Sequence, residues 1–235
     1  MTLGSATGSA QRGMMLPALV LLLSLGGLGW LLARHDTAAD RAAHQLAADL
    51  RTERALQTAR EALLGFAATY RNKEHPTADF GYLPCPDLDG DGSSETCGQQ
   101  GQPVVGRLPY LTLNLPDLRD GSGECLWYAV SGAFKNNPKA QSVNWDSTGS
   151  FRLRDGDARV IALPGDQAGL AAALVIAPGR PLASQQRTPG PGRCGGDPEA
   201  RRIEAYLEVI GSSSGNTPID VPTDHPGSND RLVTI

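Results

Sequence analysis

The clearest chemistry in this sequence belongs to three aspartates on alternate positions, Asp87, Asp89 and Asp91. A tight turn can bring alternate carboxylates together around a hard cation such as calcium, as in the first half of an EF-hand loop. A complete EF-hand loop is excluded, because its twelfth position, which needs a bidentate glutamate, is Gly98. Glu95 is the one further carboxylate nearby. Two interpretations remain open: a solvated acidic turn, and a weak calcium site with Asp87, Asp89, Asp91 and Glu95 as its ligands.

The four cysteines predict disulfides rather than a metal site. Cys85, Cys97, Cys125 and Cys194 lie in a loop-rich part of the chain, and their number is even. Of the three pairings that four cysteines allow, we favour two bridges. Cys85–Cys97 closes a short polar loop, and Cys125–Cys194 ties a strand to a segment rich in glycine and proline. A zinc site is disfavoured, because the sequence has no CxxC motif and its histidines lack ligand spacing.

The motifs of common enzyme classes are missing. The segment Gly211–Gly215 matches G-x-S-x-G, but a nucleophile elbow must open a helix, and Asn216–Pro218 does not favour one. Neither a phosphate-binding glycine loop with its lysine nor an HExxH motif occurs. The formal net charge is −4, without a basic patch that would attract nucleic acid. We therefore predict a protein that is not an enzyme, has no catalytic residues and binds no nucleic acid.

The elements that carry these residues begin with an apolar run near the N-terminus. The twenty residues that follow Gly13 carry no charge. As a helix they would span about 30 Å, the hydrocarbon thickness of a bilayer. This pattern predicts one transmembrane helix over residues 14–33. A cleaved secretory signal peptide is the alternative, but Leu31–Ala33 places a leucine where its cleavage site needs a small residue.

Residues 34–75 predict an amphipathic helix that continues from the span. Apolar residues recur at helical spacing and form one stripe, which is thin before Arg54 and strong from Leu56 to Tyr70. We expect the first half to be exposed or to contact a partner helix, and the second half to pack on a domain. His75 and Pro76 end the helix.

Residues 76–235 predict a body of short strands. Most of the 28 glycines and 17 prolines follow residue 75, which is typical of a structure with many turns. The predicted strands are Cys125–Ser131, Phe151–Arg154, Arg159–Leu163, Ala172–Ala177, Ile203–Ile210 and Leu232–Ile235. The second and third of these form the clearest predicted hairpin. We expect long polar loops between residues 178 and 199 and between residues 212 and 229.

The residues around Gly13 resemble the leader junction of type IV pilins and type II secretion pseudopilins. Gln11-Arg12-Gly13 precedes an apolar run that starts at Met14. In that family a prepilin peptidase cuts after the glycine and methylates the new N-terminus. The resemblance implies a leader over residues 1–13, cleavage between Gly13 and Met14, and methylation of Met14. The glutamate usual at the fifth mature position is replaced by Ala18, as in PilX-like minor pilins and the K-type tip pseudopilin.

Motifs in the body extend the resemblance to nearly the whole chain. They are Tyr82–Gly92, Gly106–Leu113, Leu126–Ser131, Leu174–Gly179 and Asn229–Ile235. These segments are similar to the LPCPD, DGDG, GRLPW and LWYAVS pattern of a group of pilin-like proteins. The implied fold class is α+β and pilin-like. Its long N-terminal helix, the membrane span plus the amphipathic extension, packs on an antiparallel β-sheet with long loops.

The implied function is that of a minor pilin or pseudopilin-like structural subunit of a type IV pilus or type II secretion-type filament. Such a subunit is held in the inner membrane by a single span, and residues 76–235 form its antiparallel β-sheet domain in the periplasm. Its partners are the prepilin peptidase and other pilin or pseudopilin subunits. Two alternatives remain: a membrane-anchored, calcium-dependent binding or adhesion module, and an anchored hydrolase.

Overall fold

A computed structural model describes residues 15–73, 80–140, 142–163, 169–187, 194, 202–208, 210, 218–223 and 228–235. The chain divides into two compact units, Met1–Ala47 and Ala48–Ile235. The helices are α1, Met15–Lys73, and a short 3₁₀ helix, Ile203–Ala205. The strands are β1 Val104–Arg107, β2 Trp127–Val130, β3 Phe151–Arg154, β4 Leu170–Ala171, β5 Ala173–Ala177, β6 Ile219–Pro222 and β7 Arg231–Thr234.

Four strands of the second unit form an antiparallel sheet in the order β1-β2-β5-β7. Every residue of β2 and β5, the central strands, is buried. Successive side chains point to opposite faces of a sheet. Trp127 therefore enters one apolar cluster and Tyr128 enters the other. Both aromatics are buried because both faces of this sheet are covered.

The C-terminal part of α1 covers one face of the four-stranded sheet. Ala55, Leu56, Ala59 and Leu63 lie at helical spacing and share a buried cluster with side chains of β2 and β5. Burying one leucine side chain stabilises a fold by roughly 1.5–3 kcal/mol. The stripe of apolar residues therefore holds this part of the helix on the sheet.

A second sheet covers the other face, with three strands in the order β4-β3-β6. β3 is antiparallel to β4 but parallel to β6. Phe151, Leu153 and Val221 enter the cluster that contains Trp127. The predicted single antiparallel sheet is therefore wrong. Sequence pattern alone suggests pairing between neighbouring strands, whereas β6 reaches β3 through a long connection and runs in the same direction.

The pilin-like packing predicted for the helix is also wrong. A long apolar helix laid along a sheet is not seen in the described part of the chain. The apolar cluster takes in α1 only from Ala55 onward, whereas Leu46 and Leu50 are exposed. The physical reason is composition: residues 38–54 are rich in alanine and charge, so they offer little apolar area to bury. The coarser α+β description holds, with one long helix, one short 3₁₀ helix and two sheets among the described residues.

No helix within the described residues combines the length and apolar composition that a membrane crossing requires. The predicted transmembrane helix over residues 14–33, and with it the single-pass inner-membrane location, is therefore corrected.

The remaining strand predictions had mixed outcomes. β3 has the predicted bounds, and β2, β5 and β7 overlap their predicted segments. The prediction of a strand over Ile203–Ile210 is wrong, since the described part of this segment begins with the 3₁₀ helix. Arg159–Leu163 is not a strand either; an isolated bridge joins Val160 to Arg154. The sequence did not predict β1 or β6.

Candidate metal centre

The acidic loop, residues 87–95, is fastened to the edge of β1. The backbones of Asp87 and Arg107 exchange two hydrogen bonds, with N to O distances of 3.0 and 2.9 Å. Gly106 makes this approach possible. A Cβ atom at that position would lie 2.7 Å from the Asp87 carbonyl oxygen, closer than real Cβ atoms come to backbone. The glycine of the GRLP motif therefore positions the first aspartate of the loop.

Further contacts fix the far end of the loop. Gly92 has a φ of +91°, and a Cβ atom there would lie 2.5 Å from the Tyr110 ring. The Gly92 carbonyl accepts a hydrogen bond from the Leu111 N–H at 2.8 Å. The N–H of Ser94 donates to the Thr112 hydroxyl at 2.8 Å. Glycine is thus required at position 92 by backbone conformation and by packing.

The three aspartates have different roles in the loop. Asp87 is 1% exposed, and its carboxylate accepts hydrogen bonds from the N–H groups of Gly90 and Gly92 at 2.5 and 2.8 Å. Asp89 and Asp91 are exposed, and each accepts from a backbone N–H two residues later, at 3.1 and 2.6 Å. Asp87 therefore organises the turn, whereas Asp89 and Asp91 keep oxygens open to solvent.

Glu95 completes the cluster from the other end of the loop. Its Oε2 accepts a hydrogen bond from the Leu88 N–H at 3.1 Å. Its Oε1 is buried and has no hydrogen-bond partner among the described residues. A buried oxygen without a donor is unfavourable unless a cation or a water compensates it. The position of Glu95 therefore favours a ligand between the carboxylates.

The four carboxylates converge. One oxygen from each of Asp87, Asp89, Asp91 and Glu95 lies within 4.8 Å of the others. Burial raises the pKa of Asp87 above its usual value, and repulsion from Asp89 and Asp91 adds to the effect, while the N–H bonds from the loop oppose it. Burial likewise raises the pKa of Glu95, and the same neighbouring carboxylates contribute. A divalent cation would relieve this repulsion, and hard oxygen ligands suit calcium.

The structure thus brings together the four carboxylates named from the sequence. The alternate spacing of the three aspartates in the sequence predicted this grouping. Sequence reasoning missed the residues that hold the loop in place, Gly106, Arg107 and Tyr110, although the GRLP segment that contains two of them stands out in the sequence. Their role depends on contacts between segments, which residue spacing does not report.

Both disulfides have the predicted pairing. Cys85 is bonded to Cys97, and Cys125 to Cys194. The first bridge encloses the acidic loop, because residues 87–95 all lie between its two cysteines.

The predicted processing residues, Gly13 and Met14, lie outside the described residues. Comparisons with protein-family models, with curated proteins and with solved structures found no significant match to this chain.

Proposed function

We propose that this protein is a structural subunit of a filament system of the type IV pilus or type II secretion kind, and that α1 docks on like subunits. The supporting observation is an exposed apolar surface on residues 19–30 of the helix. Its large side chains, each 57–69% exposed, are Leu19, Val20, Leu21, Leu22, Leu23, Leu25, Leu28 and Trp30. A contiguous apolar surface of this kind is typical of an interaction site.

The same stretch supports helix-to-helix docking with another subunit. Gly26, Gly27 and Gly29 lie among the large side chains, and a Cβ atom added at any of them would meet no heavy atom of the described residues within 4 Å. Glycines on a helix surface let the backbone of a second helix approach closely. No charged residue occurs between residues 19 and 30. The proposed role is assembly rather than catalysis, with minor pilin-like subunits and the prepilin peptidase as partners.

Co-assembly of tagged and untagged copies in the same cells tests this proposal. Leu22→Glu and Leu25→Glu place a charge in the docking surface, and we expect the untagged chain no longer to co-purify with the tagged one. Leu46→Glu is the matched control, because Leu46 is equally exposed on the same helix but lies outside residues 19–30. Wild-type co-purification of the Leu22→Glu chain would refute docking through this surface.

We further propose that the acidic loop binds calcium. The observation that favours this second candidate is the convergence of four carboxylate oxygens within 4.8 Å. Without a bidentate glutamate at Gly98 we expect a dissociation constant of roughly 10⁻⁴–10⁻³ M, the range of extracellular modules. Calcium at about 100 times this constant would stabilise the folded body by roughly 2.7 kcal/mol.

Thermal unfolding with calcium and with a chelator tests the calcium proposal. We expect calcium to raise the melting temperature of the wild-type chain. The melting temperature of the Asp89→Ala variant should be the same with and without calcium. Asp146→Ala is the matched control, since Asp146 is an exposed aspartate in another turn and its loss should preserve the response. If tens of millimolar calcium left the melting temperature of the wild-type chain unchanged, the loop would be a solvated acidic turn and not a calcium site.

A further inference from the structure

A second cluster of metal-ligating residues lies outside the acidic loop. Ligand atoms of Asp117, Cys125 and Cys194 lie within 4.8 Å of one another. The Oδ1 atom of Asp117 is 2.7 Å from Sγ of Cys194. A disulfide sulfur carries no proton to donate, so this contact brings an electron-rich oxygen against a sulfur without a hydrogen bond between them.

Contacts that do not depend on the disulfide hold Asp117 beside Cys125. Arg119 binds the other carboxylate oxygen of Asp117, Oδ2, through Nη2 at 2.8 Å and Nε at 3.3 Å. The backbone of Arg119 pairs with that of Cys125 in an antiparallel bridge. The guanidinium also donates to the Gly123 carbonyl at 3.1 Å. Arg119 therefore orients the carboxylate, so that Oδ1 faces the sulfur and Oδ2 stays paired.

The surroundings of the sulfurs suit a soft cation. Cys125 and Cys194 are buried and pack with Tyr110 and Leu115 in a small apolar cluster. Two thiolates bound to one tetrahedral zinc lie roughly 3.8 Å apart, which follows from a Zn–S distance of about 2.3 Å. Side chains whose Cα atoms are 5.5 Å apart can reach this separation. Burial of the two sulfurs strengthens the attraction between thiolates and a cation, whereas Asp117 is exposed.

We propose that reduction of the Cys125–Cys194 bridge creates a site for a thiophilic divalent cation of the zinc class. The ligands are the two cysteine thiolates and Oδ1 of Asp117, and water takes the fourth position. Arg119 acts as the residue that positions the carboxylate. This site is separate from the acidic loop, whose all-oxygen ligands suit a hard cation instead.

The chemistry needs a reductant, and a dithiol supplies it. A thiolate of the dithiol attacks one sulfur of the bridge and forms a mixed disulfide, and its second thiol then displaces the protein sulfur. Two electrons and two protons pass to Cys125 and Cys194, and the dithiol becomes a cyclic disulfide. The cation then binds as both cysteine thiols release their protons to solvent.

Cobalt(II) titration of the whole chain tests the site, since cobalt reports thiolate ligation and tetrahedral geometry by its absorption. The chain is first reduced with a phosphine, which supplies the same two electrons and is not a thiol ligand. We expect thiolate-to-cobalt absorption and tetrahedral visible bands in the reduced protein and neither in the oxidised protein. Asp117→Asn should weaken cobalt binding by about tenfold or more.

The double variant Cys125→Ser, Cys194→Ser is the matched control, because it keeps Cys85, Cys97 and the acidic loop. An identical cobalt spectrum from this variant, or no spectrum from the reduced wild type, would overturn the proposal. If reduction unfolds the chain, circular dichroism before and after zinc is added measures whether the metal refolds it. Zinc should then restore the folded spectrum of the wild type but not of the double variant, and a failure to restore it would also contradict the site.

Discussion

The guanidinium of Arg107 lies over the indole ring of Trp127, with its central carbon 4.1 Å from the ring centroid. The Tyr206 ring lies 4.4 Å from the same carbon. Nη1 of Arg107 donates a hydrogen bond to the Cys125 carbonyl at 2.9 Å. Arg107 is 3% exposed, and burial lowers its pKa to about 10, so the side chain stays charged at neutral pH. This arginine connects the four-stranded sheet with the turn after the 3₁₀ helix.

We predict that Arg107→Ala destabilises the body by about 3 kcal/mol or more, since it leaves a cavity beside two aromatic rings that contact each other, with centroids 5.5 Å apart, and removes their cation. Arg107→Met should cost less, because methionine fills part of the volume and removes a charge that burial disfavours. Urea unfolding of both variants measures the difference. Equal losses would show that the cation over the two rings, rather than the filled volume, dominates.

We predict that Thr52→Val costs about 1–3 kcal/mol, because it leaves a backbone N–H without its acceptor. The Thr52 hydroxyl accepts a hydrogen bond from the Gly121 N–H at 2.9 Å and donates to the Ala48 carbonyl at 3.1 Å. Thr69→Val is the control, since among the described residues the Thr69 hydroxyl donates only to the Gly65 carbonyl of its own helix. Equal thermal unfolding of the two variants would contradict a specific role for Thr52.

The two disulfides should contribute unequally to stability. Cys85–Cys97 joins residues 12 apart in the sequence, and Cys125–Cys194 joins residues 69 apart. Loop-closure entropy then predicts losses of about 3 and about 4.4 kcal/mol when each pair is replaced by serine. Denaturant unfolding of the two double variants measures both losses. A larger loss from the first pair would show that enclosing the acidic loop matters more than chain entropy.

Stabilisation by calcium should depend on pH. Burial raises the pKa of Asp87 and of Glu95 in the folded chain. Without calcium the folded state therefore holds these protons more tightly than the unfolded state, so their contribution to stability falls as pH rises from about 4 through the raised values. Bound calcium would favour the ionised form of Asp87 and Glu95 in the folded chain, so calcium binding should strengthen as these carboxyl groups lose their protons. The gain in melting temperature on adding calcium should thus be small near pH 4 and grow toward pH 7.

Melting curves at several pH values, with calcium and with a chelator, measure this gain. Asp87→Asn should reduce both the gain and its pH dependence, because one of the two perturbed carboxyls is lost. A gain that is constant between about pH 4 and 7 would exclude Asp87 and Glu95 as ligands.

The mature chain should begin at Met14 and carry an N-methyl group. This expectation follows from the resemblance of Gln11-Arg12-Gly13 to a prepilin leader. Mass spectrometry of the N-terminal peptide from the producing cells decides it. Gly13→Glu should block the cut and leave the leader attached, whereas Gly8→Glu, a glycine change within the leader, should not. A mature chain that begins near Arg34 would indicate a secretory signal peptide instead.

Local pattern was sufficient where neighbours in sequence determine the structure. Phe151–Arg154 alternates apolar and charged residues and forms β3 with those bounds. The alternating aspartates likewise form the loop that their spacing suggests. The residue pattern did not predict elements whose structure depends on contacts between segments far apart in the sequence. β1 contains Gly106, which weakens its strand signal, yet this glycine is what allows Asp87 to pair with the strand edge.

Burial explains two further differences between expectation and structure. The segment from Ile203 looks like a strand by composition, but Ala205, Tyr206 and Leu207 are all buried in succession. A strand would turn alternate side chains to opposite faces, whereas a tight turn beneath the sheet buries all three. β6 ends in Pro222, which lowers its strand signal, and its partner is a parallel strand far away in sequence.

The parallel pairing of β3 with β6 also bears on protein synthesis. Residues 155–218 lie between the two strands, so β6 leaves the ribosome roughly 3–13 seconds after β3 at about 5–20 residues per second. During that interval Phe151 and Leu153 have no β6 beside them, and β3 presents an open edge that other chains can pair with. Slow translation or high expression should therefore favour aggregation of the nascent body, and a chaperone that covers β3 should raise its yield.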